Sequence, residues 1–455
     1  MATRKQAVLL IHGIGNQQPM QTLRSFVKAV WSDHGSIHEE HAGSNMWSKP
    51  DTVSKSFELR KLTTPQNTAK IRTDFYEFYW AHLMHGTGYG HIIGWAKSLL
   101  FRSPGKVSPG LKTAYYLLWA ILIAVVVTWL VYAYTIQTDS AADASVTVGS
   151  PFFWSILSTI FSLVMLPIIG FVMKEIIGDA ARYLRPTPQN IQRRHEIRAE
   201  GVRLIETLHK RKYDRIIVVG HSLGSVIGYD ILNYAFPSYN IPTRANKEID
   251  EKRLILEKMA QDASEGNPSN PQVVHTTQRA YFEELKEIGG KWRVTDFITM
   301  GSPLAHADVL LASDMEDLDR KKTMREYPEC LPALEQKIRT TGPEDRHFTY
   351  GPKRSKTNGM EIPIPHHAAV FAPTRWTNLY FPSHFIVVGD LIGGPVSRVF
   401  GSGIYDISVG TKRLGGILSH THYWDETDWK PAVGSKKVES VTALRGVIDL
   451  TDSRS

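Results

Sequence analysis

Ten residues, Ile216 to Ser225, read Ile-Ile-Val-Val-Gly-His-Ser-Leu-Gly-Ser and leave little choice of local structure. Four β-branched residues predict a short buried strand. The Gly-x-Ser-x-Gly that follows predicts a sharp turn, because small residues on both sides are what hold a serine hydroxyl exposed at the end of a sheet. Gly220 and Gly224 leave room for strained backbone and for a helix lying close behind. Leu223 to Phe236 can continue as that helix, with apolar positions at Val226, Ile227, Ile231 and Leu232. Ser222 is therefore the candidate nucleophile, against the plainer reading of a strand-turn-helix packing corner.

A serine is a weak nucleophile until a base takes its proton and a third group orients that base. Acyl transfer also needs donors aimed at the developing oxyanion. For the donors, Val8 to Ile11 read as a buried strand leading into His12-Gly13-Ile14-Gly15. There the Ile14 amide can pair with the Leu223 amide, while His12, Gly13 and Gly15 shape the loop. A phosphate-binding loop is the alternative, but the lysine that a nucleotide P-loop requires is absent. For the base, Leu418-Ser419-His420-Thr421-His422-Tyr423-Trp424 offers His420 first and His422 as the alternative. His366 and His367 precede the best acid in the chain and are weaker. For the acid, Asp390 sits in a Gly-rich loop just after an apolar strand expected at Phe385–Val388; Asp406 and Asp296 are the lesser candidates.

The chain has 455 residues, enough for two or three domains and a large core. Its formal net charge of +8 is modest and is not gathered into the aromatic-interleaved basic stripe of a single-strand nucleic-acid binder. No nucleic-acid partner is expected; an anionic membrane face suits the charge better. The single cysteine, Cys330, excludes an intrachain disulfide framework, fits a reducing compartment and reads as an inert thiol. No secretory signal is visible, since the apolar run Ala7–Ile11 is too short for a signal core.

Two apolar blocks occupy the middle of the chain, about 114–136 and 151–173, each long enough to cross a bilayer as a helix. Trp119, Trp129 and Phe152-Phe153-Trp154 suit interfacial positions. The connection Gln137–Ser150 carries Asp139 and Asp143 but no Lys or Arg. The outer flanks carry Lys97, Arg102, Lys106 and Lys112, then Lys174, Arg182 and Arg185. By the positive-inside rule both flanks are cytoplasmic. The expectation is a two-helix transmembrane hairpin, with a pair of buried helices or a hydrophobic lid as the alternative. His91–Arg102 adds an amphipathic run that suits a membrane surface or an ordinary surface helix equally.

The remaining order alternates strands and helices, which predicts a parallel sheet covered on both faces. Helices are expected near Met20–Trp31, Pro188–Lys212, Thr277–Ile288 and Val438–Ile448, and further strands near Lys70–Tyr79, Thr295–Met300 and Trp376–Tyr380. Polar insertions fall at about 237–272 and 313–365. The expected organisation is residues 1–110 as the first part of one α/β domain with the oxyanion loop, 111–175 as the hairpin, and 176–455 as the remainder.

These pieces resemble the α/β-hydrolase superfamily, and more narrowly the lipase-like serine esterases related to the GPI-inositol-deacylase and putative serine esterase groups. The matching residues are His12-Gly13-Ile14-Gly15, Gly220 to Gly224, Met300-Gly301-Ser302-Pro303-Leu304, Trp376 with Asn378 and Asp390, and His420 to Trp424. The resemblance implies a Ser222–His420–Asp390 triad, and its His-x-x-Tyr-Trp element favours His420 over His422. It implies no metal or organic cofactor. His34, His38 and His41 have metal-ligand spacing, but their Gly-containing polar segment reads as a loop. Gly86-x-Gly88-x-Gly90 lacks the βαβ context of a nucleotide site, and Glu77 reads as a structural strand carboxylate.

The expected protein is thus a membrane-anchored esterase or lipase-like enzyme cleaving lipid or acylated substrates, with both termini and the catalytic domain on the cytoplasmic side of a membrane such as a bacterial inner membrane. The competing expectations are an acyl-thioesterase using the same residues and a membrane scaffold that keeps the fold without turnover.

Overall fold

The computed structural model describes residues 4–14, 18–32, 46–67, 70–84, 188–242, 251–336, 346–354, 361–382, 389–390, 392–410, 417–425 and 438–450, with scattered positions between 103 and 184. The chain divides into two compact units. One comprises Met1–Leu83 with Ile191–Ser455, the other Met84–Asn190.

The first unit is built on a nine-stranded sheet. Its strands are β1 (Arg4–Ile11), β2 (Trp47–Pro50), β3 (Arg60–Gln66), β4 (Ile71–Phe78), β5 (Arg215–His221), β6 (Val294–Met300), β7 (Arg375–Tyr380), β8 (Tyr405–Gly410) and β9 (Val438–Glu439). The spatial order is β9-β8-β7-β6-β5-β1-β4-β3-β2. From β9 to β4 every pairing is parallel, and only the β4-β3-β2 edge is antiparallel. A mixed α/β fold with a large, mostly parallel sheet is what the strand-helix alternation predicts.

Alternation along the strands decides which side chains meet which helices. Val8 and Leu10 of β1, Ile217 and Val219 of β5 and Ile298 of β6 share a core with Leu23, Phe26 and Val27 of α1 (Gln21–Val27) and Leu444 near the C-terminus. On the opposite phase, Phe297 of β6 and Trp376 of β7 lie 5.2 Å apart, ring centre to ring centre. Tyr229 of the helix after β5 packs on Trp376 at 5.6 Å. Burying side chains of this size contributes about 1.5–3 kcal/mol each. Helices therefore cover both faces, and the central strands are buried along their whole length.

α2 (Pro188–His209) leads into β5, and α3 (Leu223–Ala235) leaves it. The polar segment after α3 carries α4 (Glu251–Ser264), followed by α5 (Pro271–Glu287), whose Asn270 side chain accepts from the Gln272 amide as an N-cap. Beneath the N-terminal ends of the strands, Arg215 pairs with Asp449 at 2.6 Å and Arg375 with Asp296 at 2.6 Å. Asp296 is thus part of the sheet's structural ion pairs. The C-terminal segment is a short strand, β9, before α6 (Ser440–Val447), not a helix from Val438.

The membrane expectation is overturned. A span needs an unbroken apolar helix of about 20 residues to satisfy its backbone groups in hydrocarbon. Among the described residues no helix is long and apolar enough to cross a membrane. The transmembrane hairpin and the integral-membrane localisation with two spans do not stand. Most of 111–175 lies outside the described residues, as do His91–Arg102, Gly86 to Gly90, His34 to His41 and the strand expected at Phe385–Val388.

Candidate active site

β1 lies inside the sheet between β4 and β5, and the chain departs in opposite directions on its two sides. Crevices at such a switch point, beyond the C-terminal ends of the strands, are where open α/β sheets bind ligands. His12, Ser222 and Gly301 follow the ends of β1, β5 and β6 at this edge.

Ser222 adopts φ 52° and ψ −128°, a left-handed conformation unusual for a residue with a Cβ. Its amide donates to the Met300 carbonyl at 2.9 Å, which anchors the turn to β6. The flanking glycines are required by close approach. A Cβ on Gly220 would come within 2.6 Å of Ser225 Cα, and one on Gly224 within 2.2 Å of the Ile11 carbonyl oxygen. The Ser225 hydroxyl is 2.7 Å from that of Ser302, tying α3 to the turn after β6.

His420 stands on a 3-10 turn (Ile417–Thr421), with Nε2 2.7 Å from Ser222 Oγ and Nδ1 2.9 Å from Asp390 Oδ2. Asp390 is buried, and its oxygens are fully engaged. Oδ1 accepts from the Ile392 and Gly393 amides at 2.8 and 3.0 Å, and Oδ2 also accepts from the Tyr423 hydroxyl at 2.8 Å. Burial alone would raise this carboxyl. The His420 charge and the hydrogen bonds from His420, Gly393 and Tyr423 outweigh it and hold the group down at about 2. Gly301, at φ +55°, leaves the space this cluster needs: a Cβ there would lie 2.8 Å from Asp390 Oδ2 and 2.9 Å from His420 Nδ1.

Three of the expected site residues are therefore within hydrogen-bonding reach of one another, and the lesser candidates are engaged elsewhere. His422 pairs with Asp425. His366 donates to the Ala333 carbonyl at 2.8 Å, and His367 meets the Tyr350 hydroxyl. Asp406 accepts from Asn378 Nδ2 at 2.7 Å and from the Val396 and Ser397 amides at 3.0 Å each, a loop-holding role.

The loop after β1 lies over the serine, since a Cβ on Gly13 would stand 2.9 Å from Ser222 Cβ. Buried His12 stacks on Trp80 at 5.1 Å and donates from Nδ1 to the Gly13 carbonyl at 2.7 Å. Burial drives its basicity down to about 4, so the ring is neutral. Trp80 Nε1 donates to the His12 carbonyl at 2.9 Å, fixing the loop from outside. Leu223, the first residue of α3, has no carbonyl one turn earlier in the helix to receive its amide. Ile14 is half-buried, and Gly15 lies outside the described residues.

Two residues at the site carry no assigned role in the sequence reading. His221 Nε2 donates to the His420 carbonyl at 2.8 Å, and burial, reinforced by the nearby His420, lowers its basicity to about 3. Tyr423 holds Asp390 and accepts from the Phe381 amide at 3.2 Å. Their proximity in sequence to Ser222 and His420 was the available signal; their partners depend on strands far apart in the chain.

No family model, curated protein or solved structure matches the chain.

Proposed function

We propose that the protein is a serine hydrolase that cleaves carboxylic esters through an acyl-enzyme. The carrying observation is the continuous chain from Ser222 Oγ through His420 to buried Asp390, at 2.7 and 2.9 Å.

Ser222 Oγ attacks the ester carbonyl carbon as His420 Nε2 takes its proton. The carbonyl oxygen, now an oxyanion, is received by the Ile14 and Leu223 amides. Collapse of the tetrahedral intermediate breaks the bond to the alcohol, and the imidazolium returns the proton to that leaving oxygen. Water then attacks the acyl carbon, losing its proton to the same nitrogen, and releases the acid and free Ser222. Asp390 stays ionised throughout, keeping the Nδ1 proton in place and stabilising the transient imidazolium. Tyr423 and the Ile392 and Gly393 amides keep that carboxylate fixed.

A labelled fluorophosphonate tests this reading. Modification of Ser222 in the folded protein is expected, with loss of labelling in Ser222→Ala and a fall of about 10⁴-fold or more in p-nitrophenyl ester turnover. A folded protein that leaves the reagent untouched overturns it and leaves a scaffold without turnover.

A further inference from the structure

Towards its antiparallel edge the sheet's register sets like charges directly opposite one another. In the β2–β3 pair Lys49 stands directly opposite Lys61, and in the β1–β4 pair Lys5 stands directly opposite Arg72. Like charges directly across a ladder are destabilising. The period of two puts Arg72 on the same face of β4 as Asp74 and Tyr76. A cavity of about 220 Å³ is lined by Lys5, Lys49, Lys61, Arg72, Asp74 and Tyr213. One water occupies about 30 Å³ of liquid, so there is room for a small polyatomic ligand and its hydration.

Among the described residues of that lining the one carboxylate is already committed. Asp74 takes Lys61 Nζ at 2.7 Å, Thr63 Oγ1 at 2.7 Å and the Tyr213 hydroxyl at 2.5 Å, and Tyr213 is in turn 2.7 Å from the Tyr76 hydroxyl. Burial works to raise Asp74, but the bonds from Lys61, Tyr213 and Thr63 outweigh it, so the carboxylate stays ionised and tied to Lys61. Among the described residues no carboxylate pairs with the side chains of Lys5, Lys49 or Arg72; Lys49 and Arg72 instead lie over the Trp47 ring, at 5.9 and 5.8 Å. Among the described residues, three cations thus line one polar cavity without a counter-charge.

We propose that this cavity binds a phosphomonoester dianion. Arg72 supplies the planar fork that matches two phosphate oxygens, and Lys5 and Lys49 act as point charges on either side. A dianion compensates the surplus better than a phosphodiester, which carries a single charge. The site is separate from Ser222: Lys5 lies near the start of β1 and Ser222 follows the end of β5, and these strands run parallel.

The headgroup of a phosphatidic-acid lipid and a soluble phosphate ester share this chemistry. The test therefore measures full-length protein against glycerol 1-phosphate by calorimetry, and against phosphatidylcholine vesicles with and without phosphatidic acid by co-sedimentation. Binding to the soluble ester supports a soluble ligand, and binding to the phosphatidic-acid vesicles alone supports the lipid headgroup. In either case Lys49→Gln/Arg72→Gln should bind at least about tenfold more weakly, because charge-assisted bonds are lost. Lys49→Arg should retain binding. The double variant should melt no lower than the wild type, since it relieves cross-strand repulsion. Failure to bind either probe, or undiminished binding by the double variant, overturns the site.

Discussion

His221 immediately precedes the candidate nucleophile, yet its ring reaches the far end of the chain. It donates to the His420 carbonyl and packs edge-on against Trp424 at 4.8 Å. Its hydrogen bond goes to the His420 backbone, so under the serine-hydrolase reading it is a positioning residue for the base. A catalytic imidazole displaced by a fraction of an ångström loses much of its advantage. His221→Ala is therefore expected to lower kcat by about 10–100-fold with KM nearly unchanged. The lost buried hydrogen bond should cost about 1–3 kcal/mol of stability. His221→Asn, which can still donate, should recover part of kcat. Steady-state kinetics beside thermal melts separate the two effects: a loss that appears only as instability, with kcat of the folded fraction intact, removes the positioning role.

Among the elements, β4 and α1 meet through Glu77. Its Oε2 accepts from the Met20 amide at 2.7 Å, at the start of the helix that follows the loop over Ser222. Burial pushes this carboxyl up to about 7 despite the Met20 and Leu23 amides. The native state therefore holds a proton that the unfolded chain, near the ordinary glutamate value, gives up. Stability from this group is complete below about pH 4 and declines as pH rises to about 7. Glu77→Gln should be close to neutral at pH 4 and stabilising by about 3 kcal/mol at pH 8, read from urea midpoints at the two pH values. An equal effect at both would refute the buried-acid account. Glu77 was legible as a strand carboxylate because Phe75 to Trp80 is so apolar. The neighbouring strands β2 and β3 were not legible: Lys49 and Pro50 lie on the edge strand β2, Pro65 of β3 falls at a register shift, and such polar, proline-bearing stretches read as loop. β8 was missed for a related reason, since Tyr405–Gly410 is largely half-buried and short. The elbow and the His-Gly-x-Gly loop were readable because close backbone approach leaves its mark as glycine. The hairpin expectation rested on composition alone, which gives an apolar length but not the continuous backbone hydrogen bonding that a span requires.

Across the whole molecule, histidines distribute themselves as core residues more than as chemistry. His12, His209, His275 and His366 are held near 4 and His221 near 3, burial being the leading cause in each. Hydrogen bonds explain why two of them resist a second proton. His209 donates from Nδ1 to the Ile205 carbonyl at 2.8 Å while Nε2 accepts from the Arg293 amide at 3.1 Å. His366 donates from Nε2 to Ala333 and accepts at Nδ1 from the Ala368 amide at 3.2 Å. Protonating either ring would replace an accepted bond by repulsion between two donors. The unfolded chain has no such constraint and protonates its histidines near 6.5. Below that value the unfolded state binds more protons, so stability falls as pH drops from about 6.5 towards 4. Glu77 acts in the opposite sense by one proton. Unfolding at pH 5 should consequently take up about four protons, a slope near 5 kcal/mol per pH unit. Urea unfolding curves at closely spaced pH values give that slope directly. A flat profile between pH 5 and 6, or a net release of protons, would show that these rings are already charged in the native fold.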